Sequence, residues 1–319
     1  MKFGVIGYGS IGNRHVDNLI KNGIKDIVLL RKIGKGNAHQ LIEHTDFDLF
    51  LSEGLDAIII SNPTYMHSNY LIQILKKDIN VLVEKPLVAK QKELEHVKTL
   101  IDNYKGIGMT AYNMRFNPCV IETKKFLDSK LLGKIHYARF FVGQYLPDWR
   151  PNMNHLKSYS SERAMGGGVL LDLIHEIDLA FFLIDKPNYL AFSEIDKISN
   201  LTKDSEDIAE IVYKAKDQSI VSIHLDYLTR GYERFIKVYA ENGNLVSSLS
   251  ENYVKIFLSN SEPKIKYFKD FSRNDMYNNM LTSFIDCINK QIKPESSLLE
   301  GVSSNQFAIK LRDEYYEQN

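Results

Sequence analysis

Three groups of residues in this 319-residue chain have types and spacings that could do chemistry. The first is Gly7-Tyr8-Gly9-Ser10-Ile11-Gly12, a G-x-G-x-x-G run between an apolar stretch and an amphipathic one. There Gly7 permits a tight turn and Gly9 lets the backbone approach a pyrophosphate. Gly12 lets a helix pack closely on the strand, and the helix N-terminus offers N–H donors to phosphate. The alternative is a purely structural glycine turn, but the strand before it and the helix after it favour the phosphate-binding one. The second group sits at the ends of two further apolar runs: Ser61-Asn62-Pro63-Thr64 with His67, and Glu84-Lys85-Pro86. Open α/β sheets bind ligands at the C-terminal ends of their strands. A lysine there can donate or accept a proton once burial and neighbouring charge lower its pKa, and Pro86 restricts the Lys85 backbone. Read without context, Lys85 is a surface lysine. The third group is Gly166-Gly167-Gly168 followed by Asp172, His175, Glu176 and Asp178. Read as one helix over Leu170–Ile184, it puts Asp172 and His175 on one face within a turn. A carboxylate beside an imidazole fixes its tautomer and raises its basicity, which suits proton abstraction from a carbinol as hydride leaves. The structural alternative is a core histidine satisfied by Asp172 or Asp178.

The elements that must position these groups follow from the apolar pattern. Lys2–Gly7, Asp26–Leu30, Asp56–Ser61, Asn80–Val83 and Ile107–Thr110 are short, nearly continuous apolar runs, as expected of parallel strands covered on both faces. Between them Asn13–Asn22, His67–Asp78 and Gln91–Tyr104 carry helical periodicity. Alternation of this kind predicts βαβ units and a doubly wound parallel sheet. Beyond it the pattern changes. Ile135–Gly143 is a long β-rich run, and Ile208–Ala215, Ile220–Tyr227, Phe235–Ala240, Leu245–Leu249 and Val254–Leu258 predict a large open mixed or antiparallel sheet. Asp217-Gln218 and Asn242-Gly243 are its hairpin turns, and Met276–Lys290 and Val302–Tyr316 predict closing helices. The fold class is therefore α/β, with a dinucleotide-binding domain over 1–117 and a second α/β domain over 118–319. The final helix is a candidate to pack back on the first domain.

Two stretches bear on ligand identity. The second strand runs into Arg31-Lys32, where NAD-binding folds usually carry an Asp or Glu for the ribose 2′-hydroxyl. A guanidinium suits a 2′-phosphate, so NADP is favoured over NAD; a solvated loop pair, or Arg31 stacking on adenine in either cofactor, are the alternatives. Gln144-Tyr145-Leu146-Pro147-Asp148-Trp149-Arg150-Pro151, with Tyr159 and Arg163, holds the single tryptophan. Aromatic faces suit sugar C–H surfaces and arginine suits an acidic group, so Tyr145, Trp149, Arg150 and Tyr159 are expected to bind substrate, against a structural loop closing the sheet edge.

Forty basic residues balance forty acidic ones, which argues against a dedicated nucleic-acid binder. No apolar run reaches the roughly 20 residues needed to cross a bilayer. Lys2–Gly7 enters the glycine motif directly, so no secretory signal is expected. Cys119 and Cys287 are far apart, with no CxxC or Cys/His cluster. Neither a disulfide framework nor a metal site is expected, and the cytoplasm is the default compartment.

Together, the glycine motif, Asn62-Pro63 with His67, Glu84-Lys85-Pro86, Tyr112-Asn113-Met114-Arg115-Phe116-Asn117-Pro118 and Gly166–Asp178 resemble, in this order, the family named for glucose–fructose oxidoreductase, inositol dehydrogenase and MocA. The resemblance runs over essentially the whole chain. It implies a Rossmann domain, a C-terminal α/β domain often used to form dimers or tetramers through its sheet, and NAD(P)-dependent oxidation or reduction of a sugar, sugar acid or nucleotide sugar, as in bacterial surface-glycan pathways. By position it implies Lys85 as the catalytic or proton-relay lysine, with Asp172 and His175 as partners. Asn113 joins Ser61, Asn62, Pro63, His67 and Glu84 among the cofactor residues, and Arg115 and His175 join the substrate residues. The family commonly spaces its aspartate and histidine by four residues; here the spacing is three. A non-catalytic dinucleotide-binding sensor, or an enzyme cycling a tightly held NAD, are the competing readings.

Overall fold

The computed structural model describes every residue except Lys35, Arg150, Met153 and Asn319. The chain divides into two compact units, one of residues 1–112 and 277–306, the other of 113–276 and 307–319.

In the first unit the elements are β1 (Phe3–Ile6), α1 (Ser10–Lys21), β2 (Ile27–Leu30), β3 (Ile42–His44), α2 (Phe47–Leu51), β4 (Ala57–Ile60), α3 (His67–Leu75), β5 (Asn80–Val83), α4 (Gln91–Ile101) and β6 (Gly108–Thr110). They form a parallel sheet in the order β3-β2-β1-β4-β5-β6. All four residues of β1, β2 and β4 are buried, which is why these strands read as unbroken apolar runs. Residues 277–306 complete the unit. Phe284 meets Phe3 edge-on at 6.5 Å between centroids, Thr110 N donates to Ser296 O at 2.8 Å, and Val88 N donates to Asn305 Oδ1 at 2.9 Å. The short β3 and α2 were not anticipated; β3 is an edge strand with an exposed Ile42, and α2 buries only Phe50.

The second unit contains α5 (Pro118–Asp128), β7 (Ile135–Gly143), α6 (Val169–Asp172), α7 (His175–Leu183), β8 (Pro187–Asp196), β9 (Ile208–Ala215), β10 (Ile220–Asp226), β11 (Glu233–Ala240), β12 (Gly243–Ser248), β13 (Tyr253–Leu258) and β14 (Lys264–Tyr267). The chain then runs through α8 (Arg273–Lys290) and α9 (Leu298–Gln318). Eight strands lie in the order β14-β13-β12-β11-β7-β10-β9-β8. Only β7 and β10 pair parallel; the other neighbours are antiparallel, giving the mixed sheet that was expected. One face is core, with Phe140, Ile211, Tyr213, Ile223 and Val238 fully buried, and the alternate residues make the other face.

One expectation is corrected here. The single helix read over Leu170–Ile184 is two helices, broken at Leu173-Ile174. α6 keeps the Asp172 N to Gly168 O and Leu173 N to Val169 O bonds, but Glu176 N turns back to Leu173 O, one residue short of α-helical spacing. Asp172 ends one helix and His175 begins the next, so they do not share a face of one continuous helix.

Among the described residues no helix is long and apolar enough to cross a membrane.

Candidate active site

The turn between β1 and α1 holds the features that a dinucleotide needs. Gly7 has φ +86°, and a Cβ there would stand 2.7 Å from Asn62 N. A Cβ on Gly12 would strike the Gly7 carbonyl oxygen, and Ser61 Oγ donates to that same oxygen at 2.9 Å, so the first turn of α1 lies directly on the ends of β1 and β4. Gly9 differs: nothing lies within 4 Å of where its Cβ would stand. Gly9 is also the N-cap of α1, with no side-chain cap, and the first turn carries no acidic residue. Tyr8 Oη and both amide atoms of Asn62 are buried without a hydrogen-bond partner. An open approach, an uncapped twelve-residue helix and orphaned polar atoms together fit a bound pyrophosphate and nicotinamide amide. Beyond the end of β2, Arg31 lies over the Tyr8 ring at 5.2 Å, and its Nη1 donates to Glu43 Oε1 at 2.9 Å. Lys32 is exposed.

Glu84-Lys85-Pro86 follows β5, with Glu84 N bonded to Ile60 O. Glu84 Oε1 meets Nε2 of the fully buried His15 at 2.8 Å. Lys85 is half-buried. His67 is 1 % exposed; Nε2 lies 2.8 Å from Asn62 O and Nδ1 3.0 Å from Pro86 O. Burial lowers its pKa, opposed by these carbonyls. His67 therefore ties the Asn62 turn to the Lys85-Pro86 turn through backbone atoms, as Pro63 opens the short helical turn that leads to it.

In the second unit the acidic residues of α6 and α7 are all engaged. Tyr227 Oη, at the end of β10, donates to Asp172 Oδ2 at 2.8 Å. Burial, then the charge of Asp172, holds the Tyr227 hydroxyl well above its usual pKa, so it stays a donor. Arg234 on β11 makes a two-point pair with Glu176 at 2.5 and 2.8 Å. Arg115 does the same to Asp178 at 2.9 and 2.6 Å, both side chains buried, which places the expected substrate arginine in a core ion pair. His175 is 8 % exposed, and Asn113 is buried with Oδ1 unsatisfied. The Trp149 ring meets Tyr227 edge-on at 5.3 Å, and Leu146 N donates to Tyr227 O at 3.0 Å. Tyr145 carries the guanidinium of Arg230 3.5 Å above its ring. Trp149, Tyr145, Asp172 and Tyr227 thus fall in one region, while Tyr159 is placed by its backbone against Gly167; Arg150 lies outside the described residues. The glycines before α6 serve the chain itself. A Cβ on Gly167 would meet the backbone of Tyr159 and Ser160, and one on Gly168 would meet the carboxylate of Glu206. That carboxylate is buried, accepts from Leu170 N and Tyr316 Oη, and burial pushes its pKa up to about 7.

Sequence reasoning passed over His15, Glu43, Tyr227, Glu206 and Arg230. His15 was within reach, three residues after Gly12 on the buried face of α1. The others are paired to their partners only by the fold.

A parallel sheet with a ligand-ready glycine turn, joined to a unit with an eight-stranded mixed sheet, defines a Rossmann-type oxidoreductase. The family model "Oxidoreductase family, NAD-binding Rossmann fold" matches residues 1–112, and the "GFO/IDH/MocA C-terminal domain" matches residues 120–246. This chain belongs to the Gfo/Idh/MocA family of NAD-binding oxidoreductases. Its relatives include an inositol 2-dehydrogenase of Rhizobium meliloti, 22% identical over 95% of this chain and 93% of the relative. A myo-inositol 2-dehydrogenase of Thermotoga maritima is 24% identical over 94% and 92%. Among solved structures, levoglucosan dehydrogenase in complex with NADH superposes with a TM-score of 0.87 at 15% identity, covering 97% of this chain and 95% of that one.

Proposed function

We propose that the protein oxidises a carbinol carbon of a sugar, cyclitol or sugar derivative, or reduces the corresponding ketone. The observation that carries this reading is the open, uncapped helix start at Gly9 beside the orphaned Asn62 amide, in a chain whose relatives are sugar and inositol dehydrogenases. When bound, the nicotinamide exchanges hydride with the substrate carbon. The chain's own residues handle the proton. Lys85, held at the end of β5 beside Glu84, takes the hydroxyl proton in oxidation and returns it in reduction. His15 holds Glu84, and through it the turn that aims Lys85. Asp172, fixed by Tyr227, and His175 orient the substrate hydroxyls, and Trp149 and Tyr145 offer apolar faces to its C–H surfaces. The choice between NAD and NADP falls at the pair of Arg31 and Glu43, joined at 2.9 Å.

Two features support the wider setting. On the outer face of the eight-stranded sheet Phe141 stacks on His224 at 4.7 Å and on Phe235 at 4.9 Å, a surface suited to pairing with a second copy. Cys119 and Cys287 are buried thiols, in keeping with a reducing compartment.

The test is a dehydrogenation screen of inositols, free sugars, sugar acids and nucleotide sugars with both dinucleotides, followed by nicotinamide absorbance. On the substrate found, Lys85→Ala is expected to lose about 10³-fold in kcat with dinucleotide affinity retained. Full turnover by that variant removes Lys85 from the mechanism, and a silent screen with proven dinucleotide binding removes the catalytic reading.

A further inference from the structure

The residue that follows β2, Arg31, lacks the carboxylate with which NAD-binding folds usually meet the ribose 2′-hydroxyl. A carboxylate nevertheless returns to the same place. Glu43, on β3, pairs in register with Leu29 of β2, and Arg31 N donates to His44 O at 2.9 Å, so the sheet fixes Glu43 beside Arg31. Its Oε1 accepts from Arg31 Nη1 at 2.9 Å and from Asn37 Nδ2 at 2.8 Å. The side chains are only 17% and 11% exposed, and Arg31 lies over Tyr8 of the phosphate-binding turn. Arg31 Nη1 is further tied to Gly36 O at 2.9 Å.

We propose that Glu43 decides which dinucleotide this chain takes, and that it selects NAD(H) over NADP(H). This deepens the dinucleotide-binding reading above and rests on it. The uncharged 2′-hydroxyl of NAD can donate to a carboxylate in this position. A 2′-phosphate must either sit against that carboxylate or displace it from Arg31. Displacement strands a half-buried anion without its cation, while staying repels a doubly charged group at close range. Arg31 serves as the tether of Glu43 and as a platform beside Tyr8, and the exposed Lys32 does not compensate.

The experiment measures dissociation constants of NADH and NADPH for the whole chain by nicotinamide fluorescence, with 5′-AMP and adenosine 2′,5′-bisphosphate as competitors. Wild type is expected to bind NADH at least about 30-fold more tightly than NADPH, and 5′-AMP to compete better than the bisphosphate. Glu43→Gln keeps the shape and an acceptor for Arg31 but removes the charge. It is expected to tighten NADPH at least about 10-fold while moving NADH less than about 3-fold. Tighter binding of NADPH than NADH by wild type overturns the proposal without touching dinucleotide binding, and so does an unchanged ratio in a folded Glu43→Gln. If neither dinucleotide nor either competitor binds, the dinucleotide reading itself fails and takes the proposal with it.

Discussion

The chain has two glycine-rich turns that lead into helices, and they differ in what fills the space left by the absent side chains. At Gly9 the space is open and the helix start is uncapped. At Gly167 and Gly168 the space is taken by the protein: the backbone of Tyr159 and Ser160, and the carboxylate of Glu206, which accepts from the N-terminus of α6 at Leu170. The space at the first turn is left open, and that at the second is filled by the fold. The polar groups around them follow the same division. Tyr8 Oη and the Asn62 amide have no hydrogen-bond partner, whereas Asp172, Glu176 and Asp178 each hold one across the second unit. A glycine's meaning therefore lies in its surroundings, and substitution separates the two meanings cleanly.

Gly9→Val is the strongest break of this contrast. Its side chain projects into open space at a φ of −83°, so stability should change by less than about 1 kcal/mol, while dinucleotide affinity falls on the order of 100-fold. Gly168→Ala is the mirror experiment. Its φ of +105° and the Glu206 carboxylate make a Cβ costly, so unfolding free energy should drop by about 2–4 kcal/mol with the dinucleotide constant unchanged. Denaturant melts and fluorescence titration of both variants decide the matter. A stable Gly168→Ala that binds poorly would reverse the assignment of the two turns.

How much of this was legible in the sequence depended on range. Gly7–Gly12 was readable because the turn, its strand and its helix are contiguous, and buried parallel strands advertise themselves as unbroken apolar runs. The break at Leu173-Ile174 was not, because nothing in Leu-Asp-Leu-Ile-His opposes a helix locally. The bond that Tyr227 makes to Asp172 beside the break spans 55 residues of chain and is equally invisible locally. The partner of Arg31 was likewise out of sight, since Glu43 arrives from a three-residue edge strand too short to show a period. β8 also escaped notice, since a strand with half of its residues exposed has no clear apolar run.

Tyr227→Phe sharpens the second region. It removes the donor to Asp172 and leaves a buried carboxylate short of one bond, costing about 1–2 kcal/mol of stability. If Asp172 orients substrate, kcat/KM falls about 10-fold. A stability loss with unchanged kcat/KM would leave Asp172 a structural residue, like Glu176 and Asp178.

The smallest effect tests the outer sheet face, where His224 lies 2.7 Å from Glu210 and 3.0 Å from Asp226, with Arg139 3.8 Å from Glu210. Burial alone would lower its pKa, but the two carboxylates outweigh it and push the imidazole up to about 9. A folded pKa above the unfolded value of about 6.5 means that the folded state binds the proton more tightly. The resulting stabilisation is complete below about pH 6.5 and is lost as pH rises through about 9. After solvent screening it amounts to about 1 kcal/mol. Glu206, whose carboxyl is pushed up to about 7, also weakens the fold as pH rises from its unfolded value, so the raw slope mixes both groups. The difference between wild type and His224→Gln isolates the histidine, because Glu206 is common to both. Urea melts at pH 6, 7.5 and 9 should show a gap between the two proteins that narrows toward high pH. A gap that widens would mean that the two carboxylates do not hold the imidazolium at all.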